Sequence, residues 1–295
     1  MRIRPGRVDD VPELVQLWRH EVEHGRQDIA PGEQRLRAML AHFDWGSKSR
    51  VIDDHGKLAG AVLVIARPSP DGVLANLYAG GLGSAYVEMV RWGVEFSRAA
   101  GASIAQIYVA KGLGDGLEHI GLRAARPWWR MDRGLGDGLP SAPAVAGYEV
   151  VDATAVPAGT WSDMFNRTFA DHWRFVPRGE AEIVAGRTPE LCLMAVTAGR
   201  RAPAAITLGE VEKYAGDPRP QPVGLISSVG TLPEHRRRGL AGWLVAESLC
   251  RLQAAGASTA SLYVDGMNPQ RADAVYRKLG FEVAFEAEVW EATFP

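Results

Sequence analysis

The chain has 295 residues, a net charge of −2 and 46% apolar residues. This length and composition predict two globular domains and exclude long disordered segments. The balance of 33 basic and 35 acidic residues argues against a nucleic-acid partner bound through a basic field. Two cysteines, Cys192 and Cys250, are too few for a disulfide framework, and their apolar surroundings predict buried, reduced thiols.

No apolar run reaches the ~18 residues that span a bilayer, and the first five residues lead directly into sequence typical of a folded domain. We therefore expect a cytoplasmic protein with no membrane partner. The seven histidines show no spacing typical of a metal site, because only His20 and His24 share a helical face and no third ligand is apparent. We expect no metal, and the sequence leaves open a monomer or a homodimer.

The chain repeats itself at an offset of 155 residues. Residues 99–109 (AAGASIAQIYV) and 254–264 (AAGASTASLYV) are identical at eight of eleven positions. A glycine-containing turn and a helical stretch precede each segment, and Gly-Leu at 121–122 corresponds to Gly-Phe at 280–281. Three matches in one order indicate two copies of one domain, 1–140 and 141–295, with the boundary in the Gly/Pro-rich linker 134–143.

Both copies predict alternating strands and helices, an α/β (mixed α+β) fold with a mixed sheet. In the first copy, the sequence predicts a helix over 85–100 and a strand over 104–109. In the second copy, it predicts strands over 148–151, 191–197, 203–211, 223–231 and 260–264, two last strands within 282–294, and helices over 158–170, 240–254 and 270–278.

A basic turn, EHRRRG at 234–239, joins the strand ending at Thr231 to the helix beginning at Leu240. Unpaired N–H groups and the positive end of a helix suit a phosphate group, and the arginines add charge and paired donors. Gly239 lets the backbone approach an anion, and the small Ala241 avoids an obstructing side chain. The alternative is a solvated basic loop before an ordinary helix. A Walker loop is excluded, because no Gly-Lys-Ser/Thr follows.

The pattern Arg236-x-x-Gly239-x-Ala241 resembles the acetyl-CoA diphosphate motif of the GNAT superfamily of N-acetyltransferases. Residues 268–281 (NPQRADAVYRKLGF) are similar to the penultimate helix of that superfamily, and residues 3–18 are similar to its first strand and helix. The order of strands and helices resembles that superfamily over nearly the whole chain. The motif residues match clearly only in the second copy. It implies two tandem GNAT-like domains, each with a mostly antiparallel central sheet flanked by helices.

The resemblance also implies roles for individual residues. Acetyl-CoA would be the cosubstrate, lying between the strand that ends at Thr231 and the strand over 260–264. A primary amine would attack the thioester directly in a ternary complex, and Tyr276 would protonate the departing thiolate. The residues implied to bind acetyl-CoA are Val229, Thr231, Arg236, Arg237, Arg238, Gly239, Leu240, Ala241 and Asn268.

The general base and the acceptor are left open by the sequence. Many GNAT enzymes carry a carboxylate on the strand before the diphosphate loop, whereas here that strand offers only Ser227 and Ser228. A water chain, His172 and Asp265 are the alternatives. The acceptor is a small-molecule amine or a peptide. A different class of function, a non-catalytic acyl-CoA-binding or regulatory module, is the second hypothesis, and a tandem structural protein without a ligand is the third.

Residues 165–175 (FNRTFADHWRF) are similar to a segment of tandem GNAT proteins of the mycothiol synthase type, in which the C-terminal copy carries the activity. A role in the core or at a domain interface is an equally good explanation for the aromatic residues of this segment. The similarity therefore indicates a tandem architecture rather than a substrate.

The first copy lacks most of the motif residues. Its loop, YAGGLG at 78–83, keeps the glycines but has Tyr78 at the arginine position and no basic run. Leu117 aligns with Tyr276, and no asparagine aligns with Asn268. We therefore expect a degenerate N-terminal GNAT-like domain without catalytic activity, which either binds coenzyme A weakly or acts as a scaffold, and an acetyltransferase domain in the second copy.

Overall fold

The computed structural model describes residues 2–136, 138–183, 187–214 and 219–295, so Asp137 of the predicted linker lies outside the described residues. The chain divides into two compact units. Unit 1 comprises residues 2–128, Tyr214 and Phe285–Pro295, and unit 2 comprises the described residues of Trp129–Lys213 and Arg219–Ala284. The domain boundary that the sequence predicts after residue 140 rests on the internal repeat. Because each compact unit is made of more than one segment of the chain, this boundary stays a prediction.

Strands and helices alternate as the sequence predicts. In chain order the strands are β1 Arg2–Arg4, β2 Ser49–Asp54, β3 Lys57–Ser69, β4 Gly72–Gly81, β5 Ile104–Ala110, β6 Arg123–Gly134, β7 Tyr148–Asp152, β8 Cys192–Thr197, β9 Pro203–Glu212, β10 Val223–Thr231, β11 Thr259–Asp265 and β12 Glu282–Thr293. The α-helices are α1 Val11–Glu23, α2 Glu33–Met39, α3 Trp45–Lys48, α4 Ala85–Ala99, α5 Ala158–Phe169, α6 Glu180–Ile183, α7 Leu240–Ala254 and α8 Ala272–Lys278. The two strands expected within 282–294 are one strand, because no glycine or proline interrupts β12.

The sheet of unit 1 has the strand order β1-β2-β3-β4-β5-β12. Its neighbours pair antiparallel, except that β4 and β5 are parallel. On one face, Val64, Leu77 and Ile107 pack with Met89 and Val94 of α4. The first helix, α1, packs into a second apolar cluster with β2 and β3. Branched apolar side chains at alternate strand positions build these layers, as expected for a sheet covered by helices.

The sheet of unit 2 has the order β6-β11-β10-β9-β8-β7. Strands β7 to β10 pair antiparallel, and β10 and β11 pair in parallel. Ile226 and Leu262 pack with Val245 and Leu249 of α7, while α5 contributes its residues to a separate cluster with β8 and β9. The predicted α/β fold, a mixed and mostly antiparallel sheet flanked by helices, is confirmed.

The two cysteines differ in exposure. Cys192 is buried in β8, whereas Cys250 is exposed on α7. The prediction of two buried thiols is therefore wrong for Cys250. Leu249 and Leu252 face the core, and the helical period turns Cys250 to the outside. Among the described residues, no helix is long and apolar enough to cross a membrane.

Candidate active site

The parallel strands β10 and β11 separate part-way along their length. They pair from Val223 with Thr259 to Ile226 with Leu262. A β-bulge after Ile226 then shifts β10 against β9, and β10 continues along β9 to Thr231. We call the opening between the carboxyl ends of the two strands the β10–β11 cleft. It lies where the sequence predicts the coenzyme.

The end of β10 presents backbone groups to this cleft. The N–H of Leu232 donates to the carbonyl of Ala204 on the β9 side, at 2.9 Å. Because backbone groups alternate in direction along a strand, those of Val229 and Thr231 face the cleft. A Cβ at Gly230 would lie 2.6 Å from Thr168 Oγ1, so only glycine lets α5 approach the strand here.

A loop at residues 232–239, which we call the basic loop, follows β10. After a short 3₁₀ turn at Pro233–His235, Arg237 and Gly239 adopt left-handed backbone conformations with φ of 62° and 86°. The backbone N–H groups of residues 237–241 have no acceptor among the described residues. These donors gather at the positive end of α7, an arrangement that suits an anion.

The three arginines of the basic loop have different surroundings. Arg237 and Arg238 are exposed, and the one described side-chain bond of Arg238 is a 3.4 Å contact from Nη2 to the carbonyl of Glu234. Arg236 is half-buried and bonded to Asp171 and to the Thr231 carbonyl. The structure thus leaves two of the predicted phosphate-binding side chains at the loop surface and engages the third elsewhere.

Asn268 lies in the turn after β11. Its side-chain carbonyl accepts the N–H of Gln270 at 2.8 Å, and its backbone N–H donates to the Asp265 carbonyl at 3.0 Å. The amide N–H groups of Asn268 have no acceptor among the described residues. The turn therefore orients the side chain and leaves its donors open.

Tyr276, on α8, is 6% exposed. Its ring lies in the apolar cluster that includes Val264 and the half-buried Val229, and it meets Phe281 edge-on with ring centroids 6.2 Å apart. Burial raises the pKa of the Tyr276 hydroxyl above its ordinary value. The group is therefore a protonated phenol at neutral pH, packed among residues of the strands that border the cleft.

The candidate general bases differ in exposure and in the hydrogen bonds that they already make. Asp265 is 3% exposed, and its carboxylate accepts the N–H of Met267 at 2.8 Å, which closes a local turn. His172 follows α5, is half-buried, and has its ring 6.0 Å from that of Phe169. Ser227 donates to the Leu208 carbonyl at 3.2 Å. Each assignment as a base stays a prediction, and Asp265 already has a structural partner.

Unit 1 contains a corresponding separation of parallel strands. Strands β4 and β5 pair from Leu74 with Ile104 to Asn76 with Gln106 and then part. Unlike β10, β4 pairs with its antiparallel neighbour β3 without any register shift. A Cβ at Gly80 would lie 3.3 Å from Glu21 Cγ of α1. Gly80 is therefore the counterpart of Gly230, the glycine of β10 that faces α5.

Side chains of unit 1 bond to the backbone groups at the end of β4, beside this separation of β4 and β5. The N–H of Gly81 donates to Glu21 Oε1 at 3.3 Å, and Gln27 Nε2 donates to the carbonyl of Ala79 at 3.2 Å. Glu21 is fully buried and is held by Arg26 through two hydrogen bonds of 2.9 Å. Ala79 and Gly81 flank Gly80 as Val229 and Thr231 flank Gly230, so they correspond to the residues of β10 that face the β10–β11 cleft.

The loop after β4 is shorter than the basic loop after β10. Only three residues separate Gly81 from Ala85 at the start of α4, and none is an arginine. Tyr78, which the sequence aligned with the first arginine of the motif, lies within β4. Leu117 is fully buried, and a 3₁₀ turn, Glu118–Ile120, stands in place of α8.

Comparisons with known proteins agree with this organisation. Residues 206–291 match the model of a family described as FR47-like protein. A mycothiol acetyltransferase from Kytococcus sedentarius is 32% identical over 177 residues, which are 56% of this chain and 56% of the relative; the match thus spans little more than half the relative's length.

Solved structures match nearly the whole chain. A GCN5-related N-acetyltransferase from Sphaerobacter thermophilus has a TM-score of 0.78 at 21% identity, over 99% of this chain and 95% of that chain. A tandem GNAT protein from the clavulanic acid biosynthesis pathway has a TM-score of 0.71 at 18% identity, over 100% of this chain and 99% of the other. The chain has the fold of these GNAT structures.

The family match begins in β9 and ends in β12, so it includes the bulge, the basic loop, α7, Asn268 and Tyr276. Among the described residues there is no group of three or more side chains suited to a metal ion, and the expectation of no metal stays a prediction. Sequence reasoning missed three side chains that shape the two clefts: Asp171, Glu21 and Gln27. Each is a common polar residue, and its partner lies more than 50 positions away along the chain, so no local pattern marks it.

Proposed function

We propose that this chain is an acetyl-CoA-dependent N-acetyltransferase of the GNAT superfamily, with its active site in the β10–β11 cleft of unit 2. The observation that carries the proposal is the row of open N–H groups at 237–241, at the end of a strand pair that separates beside a buried, protonated tyrosine, Tyr276. The mycothiol acetyltransferase relative supports acetyl transfer as the reaction type.

The donor set of unit 2 fits the coenzyme in three parts. The backbone groups of Val229 and Thr231 that face the cleft would pair with the amides of the pantetheine arm, as an added strand does. The N–H groups of residues 237–241 would bind the diphosphate at the positive end of α7, with Arg237 and Arg238 adding charge. The open amide of Asn268 would donate to the coenzyme arm.

The chemistry needs one nucleophile and one proton donor. The amine nitrogen attacks the thioester carbonyl, the new C–N bond forms, and the C–S bond breaks with its electron pair on sulfur. The Tyr276 hydroxyl gives its proton to that thiolate, and the nitrogen loses its extra proton to water or to His172. Holding the amine and the thioester in one complex supplies much of the rate, and a positioned proton donor adds about 10²-fold or more.

The acceptor we propose is a small-molecule primary amine. A small-molecule acceptor is supported by the name of the Kytococcus relative, which refers to mycothiol. Strand β10 carries no carboxylate, so water or His172 would accept the proton that the attacking amine loses. Peptide N-termini belong to the same chemical class and serve as the comparison set.

A non-catalytic acyl-CoA-binding module is the second candidate. The missing carboxylate on β10 favours it, because such a module requires the coenzyme site but no base. The two candidates agree on binding and differ on turnover.

Calorimetry with acetyl-CoA, followed by release of free coenzyme A in the presence of small amines and peptides, separates these functions. The acetyltransferase proposal predicts binding of acetyl-CoA and release that requires a small amine. Binding without release by any amine supports the module, and release with peptides alone contradicts the small-molecule acceptor. Absence of binding overturns both functions.

A further inference from the structure

Arg236 makes more polar contacts than any other side chain of the basic loop in the described residues. Its Nη1 lies 2.7 Å from Asp171 Oδ2, and its Nη2 lies 3.0 Å from Asp171 Oδ1. Its Nε donates to the carbonyl of Thr231 at 3.1 Å, and Nη2 also contacts the carbonyl of Thr168 at 3.3 Å. Four donor contacts use most of the five N–H groups that a guanidinium carries.

These contacts join three parts of the coenzyme cleft. Thr231 ends β10 and faces the cleft, Thr168 lies in the last turn of α5, and Arg236 itself belongs to the basic loop. A cation near the last carbonyls of a helix is favourable, because these groups form the negative end of the helix dipole. The bidentate carboxylate pair adds a fixed angle, since a planar guanidinium matches a carboxylate in one plane.

The charge of Arg236 is matched within the protein. Its hydrogen bonds to Asp171 hold the pKa of that carboxyl below its usual value, so Asp171 is ionised at neutral pH. The side chain of Arg236 is 25% exposed, whereas Arg237 and Arg238 are exposed residues. A diphosphate at the N–H groups of 237–241 therefore finds its charged partners in the two later arginines.

We propose that Arg236 and Asp171 form a positioning pair, which fixes the Thr231 carbonyl and the start of the basic loop relative to α5, and that Arg236 is not a phosphate ligand. This inference rests on the proposed function and revises the role that the motif implies for Arg236. The pair acts on the pantetheine end of the coenzyme through Thr231. Its loss should affect any acyl donor that contains the pantetheine arm, with or without the nucleotide.

Two donors distinguish these roles: acetyl-CoA and S-acetylpantetheine, which has the thioester arm but neither the diphosphate nor the nucleotide. In the full chain, Arg236→Lys keeps the positive charge and loses the planar fork, and Asp171→Asn removes the partner carboxylate. We expect both variants to lower kcat/KM by a similar factor, about tenfold, with each donor, which corresponds to about 1.4 kcal/mol. Arg237→Gln should lower kcat/KM with acetyl-CoA alone.

Arg167→Gln is the matched control. Arg167 also connects α5 to the basic loop, through a 3.0 Å ion pair with Glu234, but both side chains are more than half exposed and neither touches Thr231. Exposed pairs contribute little, so this variant should retain wild-type kinetics. Unfolding temperatures of all variants show whether a kinetic loss accompanies general destabilisation.

The double variant Arg236→Gln/Asp171→Asn should be no worse than the more impaired single variant, because the two side chains act as one unit. Wild-type kinetics for Arg236→Lys, together with a loss in Arg236→Gln that is confined to acetyl-CoA, would identify a phosphate ligand and overturn the inference alone. Absence of acetyl-CoA binding by the wild-type chain would instead overturn the proposed function.

Discussion

The two clefts of this chain lie at corresponding pairs of parallel strands, and the backbone groups that border them have different partners. In unit 2, a β-bulge and an eight-residue loop follow each other, and the backbone N–H groups of residues 237–241 have no acceptor in the described part of the chain, while the Thr231 carbonyl accepts from Arg236. In unit 1, the strand is regular, the loop is shorter, and Glu21 and Gln27 bond the backbone groups of Gly81 and Ala79. Two units with corresponding strand pairs can thus differ in whether side chains bond the backbone groups at the ends of those strands.

The largest expected effect comes from blocking the β10–β11 cleft. Gly239→Asp places a negative charge and a side chain at a position with φ of 86°, next to the N–H groups of 237–241. We expect acetyl-CoA affinity to fall more than about 100-fold, because like charge repels the diphosphate at the helix start and the left-handed backbone disfavours a side chain. Calorimetry measures the loss.

Gly83→Asp is the control for that change. Gly83 has φ of 57° in the short loop of unit 1, and no atom lies within 4 Å of an added Cβ. The same charge and a similar backbone strain should leave acetyl-CoA affinity unchanged. Equal losses in the two variants would break the distinction between the clefts.

The next effect is catalytic. Tyr276→Phe keeps the ring packed against Phe281 and removes the proton donor, so kcat should fall about 100-fold while acetyl-CoA affinity is retained. Steady-state kinetics and calorimetry test the two parts. Tyr86→Phe, at a half-buried tyrosine of unit 1, should leave kcat unchanged. An unaltered kcat in Tyr276→Phe would remove the tyrosine from the mechanism.

A smaller effect is expected from the cleft of unit 1. Glu21→Gln removes the buried carboxylate that pairs with Arg26. Because the Arg26 side chain is 33% exposed and water partly replaces the lost partner, we expect the free energy of unfolding to fall by only about 2 kcal/mol. Urea unfolding measures this loss. Arg37→Gln, which breaks an exposed pair with Glu33, should cost less than about 0.5 kcal/mol. Equal losses would show that the buried pair has no special structural role.

The smallest expected effect is in the pH profile. Because burial raises the pKa of Tyr276, the hydroxyl keeps its proton through pH 9 and loses it only above its ordinary value near 10. The rate should therefore rise or stay level between pH 7 and 9 as the amine loses its proton. A fall in kcat between pH 8 and 9 that disappears in Tyr276→Phe would contradict this role.

Local pattern predicted much of unit 2. The predicted bounds of β10 and α7 agree with the structure, because an apolar strand, a glycine before a helix and a helical apolar stripe are signals within a few residues. The arginine motif indicated the basic loop for the same reason.

The rest depends on contacts that no short segment encodes. The assignment of most of β12 to unit 1 requires strand pairing between residues such as Trp290 and Ile107, which are far apart in the chain. Glu21 and Gln27 bond backbone groups beside the separation of β4 and β5, and these partners are 60 and 52 positions away in the chain. Arg236 matched a motif for phosphate binding, yet its side chain bonds to Asp171, 65 positions earlier. Tertiary contacts, rather than propensity, decide these features.

A crystal structure of the chain with acetyl-CoA tests the central claim most directly. We expect the coenzyme between β10 and β11, with its diphosphate at the N–H groups of residues 237–241 and with Glu21 and Gln27 still bonded to Gly81 and Ala79. A coenzyme seated between β4 and β5, with those two side chains displaced, would contradict this expectation.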